Sequence, residues 1–165
     1  METQQTLVRR LAEACLQRGI VVSTAESCTG GGVAHAITDI PGSSRWFDAG
    51  LVTYSNAAKQ RLLNVPQAIL DRFGAVSEET VEAMAQGVLV GSAANLAVAI
   101  SGIAGPDGGS ELKPVGTVWF AWAQPGREVQ TALCHFDGDR QSIREQAVHR
   151  ALLGLIRCAE HNEAF

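Results

Sequence analysis

Residues Ala25-Glu26-Ser27-Cys28-Thr29-Gly30-Gly31-Gly32 set a hydroxyl, a thiol and a second hydroxyl side by side in front of a run of glycine. Each of Ser27, Cys28 and Thr29 can attack a carbonyl carbon once a neighbouring base takes its proton. Upstream, Gly19-Ile20-Val21-Val22-Ser23-Thr24 is a short β-branched run, and downstream Val33-Ala34-His35-Ala36-Ile37-Thr38 has helical character. The candidates therefore fall at the carboxyl end of an expected strand and the amino end of an expected helix. Free backbone N–H groups there favour an anion or a developing oxyanion. The same pattern also fits a plain helix start, with Ser or Thr as the N-cap and glycine as turn residues.

A serine nucleophile needs a base, and the histidines are poorly placed to be one. His35 falls inside the helix after the glycines, His135 in a strand, and His149 and His161 on the last helix without an acid to orient them. Tyr54-Ser55-Asn56-Ala57-Ala58-Lys59 puts a phenol at a strand end and an amine one helical turn into the next segment. A partly buried lysine can lose its proton near neutral pH and accept one from a hydroxyl, and Tyr54 could relay or donate a proton. A solvated helix lysine is the competing reading of Lys59. A thiol mechanism through Cys28 would lack a placed histidine.

The elements that must position these groups follow from periodicity. Leu7, Leu11 and Cys15 at four-residue spacing mark an opening helix ended by Gly19, and a strand runs from there to Thr24. After the helix that ends at Thr38, Asp39 to Ser44 is a turn, and Trp46 to Tyr54 reads as a strand containing Gly50. Ser55 caps a helix through Leu62, a second short helix lies between Pro66 and Gly74, and Ser77 with Glu78 and Glu79 opens a longer one to about Ala93. Leu96 to Ser101 is an apolar run typical of a buried central strand. Val115 to Ala123 and Glu128 to Phe136 form an expected antiparallel hairpin joined at Pro125-Gly126. Ile143, Ala147, Ala151, Leu155 and Ala159 carry a last helix from near Asp139. This order implies one α/β domain over residues 1–165, a three-layer α/β/α arrangement around a mixed, mostly parallel sheet.

Between strand and hairpin, Ser101-Gly102-Ile103-Ala104-Gly105-Pro106-Asp107-Gly108-Gly109-Ser110 resembles a phosphate cradle in composition. It leads into a strand rather than a helix, so it is not a dinucleotide fingerprint. Its glycines can bring backbone N–H groups to a ligand, and a plain crossover loop reads equally well. Gly138-Asp139-Arg140 adds a guanidinium beside a helix start, a natural phosphate partner and also an ordinary surface group.

The chain has 165 residues, 46% hydrophobic and 18% charged, with a net charge of -4. That suits a globular protein with a sizeable core and argues against a nucleic-acid surface, leaving small molecules as expected partners. Met1-Glu2-Thr3-Gln4-Gln5 lacks the order of a signal peptide and no apolar run reaches a membrane span, so a cytoplasmic protein without membrane contact is expected. Cys15, Cys28, Cys134 and Cys158 form no CxxC pair. They are expected to be reduced, with no metal and no cofactor; Cys158 and His161 make half a site at most.

Together these segments resemble the CinA C-terminal-domain family, over nearly the whole chain. The likeness rests on Thr24-Ala25-Glu26-Ser27-Cys28-Thr29-Gly30-Gly31, Gly42-Ser43-Ser44 with Trp46-Phe47, Val52-Thr53-Tyr54-Ser55-Asn56-Ala57-Ala58-Lys59, Gly74-Ala75-Val76-Ser77, Ser101 to Gly109, Lys113-Pro114-Val115-Gly116-Thr117-Val118 and Gly138-Asp139-Arg140. The resemblance implies hydrolysis of the carboxamide of nicotinamide mononucleotide to nicotinate mononucleotide and ammonia, without a metal. It implies Ser27 as nucleophile, Lys59 as base and Tyr54 as their assistant. Thr29, Gly30, Gly31, Asn56, Ser101, Gly102, Gly105 and Arg140 are the expected substrate-binding residues, with Arg140 on the phosphate. Many members carry this domain behind a nucleotide-hydrolysing one; the stand-alone form, assembled as a homo-oligomer such as a dimer, is expected here. A non-catalytic nucleotide-binding module is the alternative.

Overall fold

The computed structural model describes residues 1–161; residues 162–165 of the expected domain lie outside the described residues. Helix α1 (Gln4–Arg18) buries Leu7, Leu11 and Cys15 and is closed by Gly19 at φ 66°, a left-handed position that suits glycine. There follow β1 (Val22–Glu26), α2 (Gly32–Thr38), a 3-10 turn at Ser43–Arg45 and β2 (Phe47–Val52). Then come α3 (Asn56–Leu63), α4 (Gln67–Phe73), α5 (Glu78–Val90), β3 (Leu96–Gly102), β4 (Thr117–Ala123), β5 (Gln130–His135) and α6 (Arg140–His161).

The sheet has the order β2-β1-β3-β4-β5. β1 is parallel to both β2 and β3, β4 runs against β3, and β5 against β4. All strands but β4 therefore point the same way, giving the mixed, mostly parallel sheet expected from the alternation of elements. The hairpin of β4 and β5 is also where the sequence put it.

Alternation of side chains along the strands decides which helices each face holds. Val22, Leu96, Val98, Ile100, Val118, Phe120 and Trp122 pack with α1, α2 and α6. On the other face Ala25, Ala97, Ala99, Ala121 and Ala123 meet α3, α4 and α5. The result is three layers with two apolar cores, one lined by large side chains and one by alanine. The alanine face lets α5 approach closely, and α5 in turn holds α3. At Gly87 an added Cβ would run into the Leu63 carbonyl oxygen at the end of α3. Backbone lies on backbone at that point, so the helix that carries Lys59 has a fixed distance from the sheet.

Some boundaries differ from those expected, each for a local reason. β2 stops at Val52 because the chain turns toward the Ser55 cap, although Thr53 N still donates to Glu26 O at 2.9 Å. α5 stops at Val90 rather than Ala93, whose N–H is taken by Asp48 Oδ2 at 2.8 Å. β4 starts at Thr117 rather than Val115, after Gly116 at φ 95°, whose Cβ would meet Phe136 O. No helix among the described residues is long and apolar enough to cross a membrane.

Candidate active site

β1 hands the chain to α2 on one face, whereas β3 hands it away from β1 into the loop before β4. Connections that diverge in this way leave a crevice at the carboxyl ends of the strands. Glu26 pairs with Val52 on one side and Ile100 on the other, and Ser27 N donates to Ile100 O at 3.0 Å. Thr53, Ser27 and Ser101 therefore continue three neighbouring strands side by side at this edge. Strand alternation aims their side chains at the layer of α3 and α5.

Lys59 comes down onto that edge from the first turn of α3. Ser55 caps the helix, its Oγ accepting from Ala58 N at 3.0 Å. Lys59 Nζ lies 3.1 Å from Ser27 Oγ and donates to Thr53 O at 2.7 Å and Tyr54 O at 3.4 Å. Lys59 is 1% exposed and Ser27 8%. Burial lowers the amine from its ordinary 10.5 to about 8. No carboxylate within ion-pair distance offsets this among the described residues. A neutral amine has two N–H donors and one lone pair. With the two carbonyls taking the donors, the lone pair is left for the Ser27 hydroxyl.

The three candidate nucleophiles are sorted by the turn they share. Ser27 meets Lys59, whereas Cys28 packs among the large side chains of the opposite core, where burial pushes its thiol up to about 11. Thr29 Oγ1 donates to Glu26 Oε1 at 2.6 Å. Glu26 is 1% exposed and also accepts from Val33 N at 2.9 Å and Ala34 N at 3.0 Å, the first amides of α2. A carboxylate at a helix amino terminus is favourable, and here it ties strand, turn and helix together. From the far side Arg144 of α6 donates to Cys28 O at 3.0 Å and Thr29 O at 3.3 Å. Gly30 and Gly31, at φ 60° and 93°, let the turn pass between Arg144 and Val52.

Other expected site residues have more mixed positions. Tyr54 brings its carbonyl, not its ring, to Lys59; the phenol is 61% exposed and its oxygen accepts from Arg140 Nη2 at 3.1 Å. Arg140 Nη1 donates to Gly105 O at 2.7 Å, so Gly105 presents its carbonyl to the guanidinium. The bare Cα of Gly102 serves β4, because a Cβ there would strike Val118 and Thr117 O. Ser101 is buried at the end of β3, and Asn56 is exposed at the first position of α3. Among the described residues no group of three His, Cys, Asp or Glu side chains is placed to hold a metal. Glu26 and Arg144 were not assigned a role from the sequence. A carboxylate inside an otherwise uncharged strand was the available signal for Glu26, and the four-residue spacing from Arg140 on one helix face was the signal for Arg144.

The model of the family described as the CinA C-terminal domain matches residues 4–159. The nicotinamide-nucleotide amidohydrolase PncC of Pseudomonas putida is 55% identical over 157 residues, covering 95% of this chain and 98% of that protein. A CinA-like protein of Akkermansia muciniphila is 53% identical over 140 residues, covering 85% of this chain and 34% of that longer protein. The crystal structure of the competence damage-inducible protein A of Klebsiella pneumoniae superposes with a TM-score of 0.94 at 38% identity, covering 98% of this chain and 100% of that one. The chain belongs to the CinA C-terminal domain family.

Proposed function

We propose that this protein hydrolyses the carboxamide of nicotinamide mononucleotide, releasing ammonia and nicotinate mononucleotide. The observation that carries the reading is the buried Lys59 amine, 3.1 Å from Ser27 Oγ and without a carboxylate partner among the described residues. Support for the substrate comes from the name of the Pseudomonas putida relative and the near-complete overlap with it.

Ser27 Oγ attacks the carboxamide carbon while Lys59 Nζ takes the hydroxyl proton. Amides of the turn after Ser27 hold the charge that develops on the carboxamide oxygen. As the tetrahedral species collapses, the protonated Lys59 returns a proton to the nitrogen, which leaves as ammonia. Water then attacks the Ser27 ester, its proton passes through Lys59 to Ser27 Oγ, and nicotinate mononucleotide departs. The pyridinium ring withdraws electrons from the amide carbon, and its positive charge further disfavours an ammonium on Lys59. Arg140, held between Gly105 O and Tyr54 Oη, keeps N–H groups for a phosphate. In this reading Tyr54 is a wall of the phosphate site as well as a support of Lys59, with Thr29, Gly30, Gly31, Asn56, Ser101 and Gly102 bordering the substrate.

The four cysteines are free, which suits a reducing, cytoplasmic setting, and a homo-oligomer belongs to the same reading; light scattering on the purified protein tests it. The function is tested by ammonia release from nicotinamide mononucleotide, with nicotinamide riboside and NAD alongside. Release from the mononucleotide, with the riboside at least about tenfold poorer in kcat/KM for want of its phosphate, is expected. Binding of the mononucleotide without any ammonia would favour a binding module instead.

A further inference from the structure

Arg144 is half-buried on α6 and makes hydrogen bonds to the carbonyls of Cys28 and Thr29 rather than to the Ser27 or Lys59 side chains. A trans peptide carries its C=O and N–H on opposite sides, and the one cis bond among the described residues is Gly105-Pro106. With Cys28 O turned to α6, the N–H of the same peptide unit, that of Thr29, is turned away from α6. The layer on that other side is the one where Ser27 Oγ meets Lys59. Of the neighbouring amides, Ser27 N donates to Ile100 O, Gly30 N to Ser27 O and Gly32 N to Thr29 O, each at 3.0 Å. Those of Cys28 and Gly31 donate to no oxygen among the described residues, but neither shares its peptide unit with a carbonyl that Arg144 holds. The Thr29 N–H donates to no oxygen among the described residues, although Thr29 is only 2% exposed.

We infer that Arg144 is a positioning residue that builds the oxyanion site, by fixing the Cys28–Thr29 peptide so that the Thr29 N–H faces the carboxamide oxygen. This rests on acylation of Ser27. The guanidinium also polarises that peptide through its carbonyl, which strengthens the N–H as a donor to developing negative charge. Its planar fork spans two successive carbonyls, which the compact ammonium of a lysine does not. Gly30 leaves the space this requires, since a Cβ there would lie 3.1 Å from Arg144 Nη2.

The test is steady-state ammonia release from nicotinamide mononucleotide by the full chain carrying Arg144→Ala or Arg144→Lys, across pH, beside Ser27→Ala. An oxyanion donor acts in the transition state and not on the ground state, so kcat falls about ten- to a hundredfold while KM stays within about threefold. The acid limb of the pH profile, set by Lys59, stays where the parent has it. If Arg144→Ala does not fold, Arg144→Lys is judged by the same criteria. An unchanged kcat, a raised KM with kcat intact, or a displaced acid limb would overturn the inference. Activity retained in Ser27→Ala would instead remove the acylation reading beneath it, and the two failures are separable.

Discussion

Lys59 is the residue at which structure and chemistry depend most on each other, because the burial that lowers its amine to about 8, as the proposed base requires, also makes it costly. The folded amine titrates at about 8 against 10.5 in the open chain, and both states are protonated below the lower value. The unfolded chain holds the extra proton between these limits, so stability rises with pH across that window. Denaturant unfolding of the parent and of Lys59→Met is expected to show the parent gaining about 3 kcal/mol relative to the variant between about pH 7 and 10.5. Equal slopes would mean the amine is not desolvated. In the proposed mechanism catalysis needs that proton gone: kcat/KM is expected to rise about tenfold per unit as pH approaches about 8 and to level above it. A profile flat from about pH 5 to 9 would deny Lys59 the role of base. The residue types at Ser27 and Lys59 were legible in the sequence. Their 3.1 Å contact was not, because Ser27 reads equally well as a helix cap until α3 is docked.

At the scale of elements, the site is three strand ends and one helix start held in register. α3 is short, and its distance from β1 is set by α5, where Gly87 receives the Leu63 carbonyl. Gly87→Ala is therefore expected to push α3 outward though it touches no reacting group. Stability should fall by about 1–3 kcal/mol, and kcat should fall with it as the Lys59–Ser27 contact lengthens. Kinetics and urea unfolding of the same preparation check this, and an unaffected kcat in a destabilised variant would detach α3 placement from catalysis. Elements with a clear period, such as α6 with Ile143, Ala147, Ala151, Leu155 and Ala159, were readable from spacing alone. The ends of β2, α5 and β4 were not, since they are decided by partners distant in sequence, such as Asp48 for Ala93. Tyr54 illustrates the same limit. Its place just past β2 was legible, but which of its atoms meets Lys59 depends on the turn into the Ser55 cap.

Over the whole molecule, one long helix brings both arginines to the catalytic end. α6 is seated on the sheet where Gly154 lies against the Trp122 ring with no space for a Cβ, and its amino-terminal turns deliver Arg144 to the glycine turn and Arg140 to Gly105 O and Tyr54 Oη. Arg144 and Cys28 are 116 residues apart in sequence, which is why that contact was invisible before the layers were assembled. Acylation of Ser27 is the central step of the proposed mechanism. Its most direct test is ammonia release from nicotinamide mononucleotide by Ser27→Ala beside the parent at about pH 9, with substrate affinity measured on both. We expect affinity within about threefold and a rate lower by about a thousandfold or more; a variant that keeps the rate within about tenfold would contradict it.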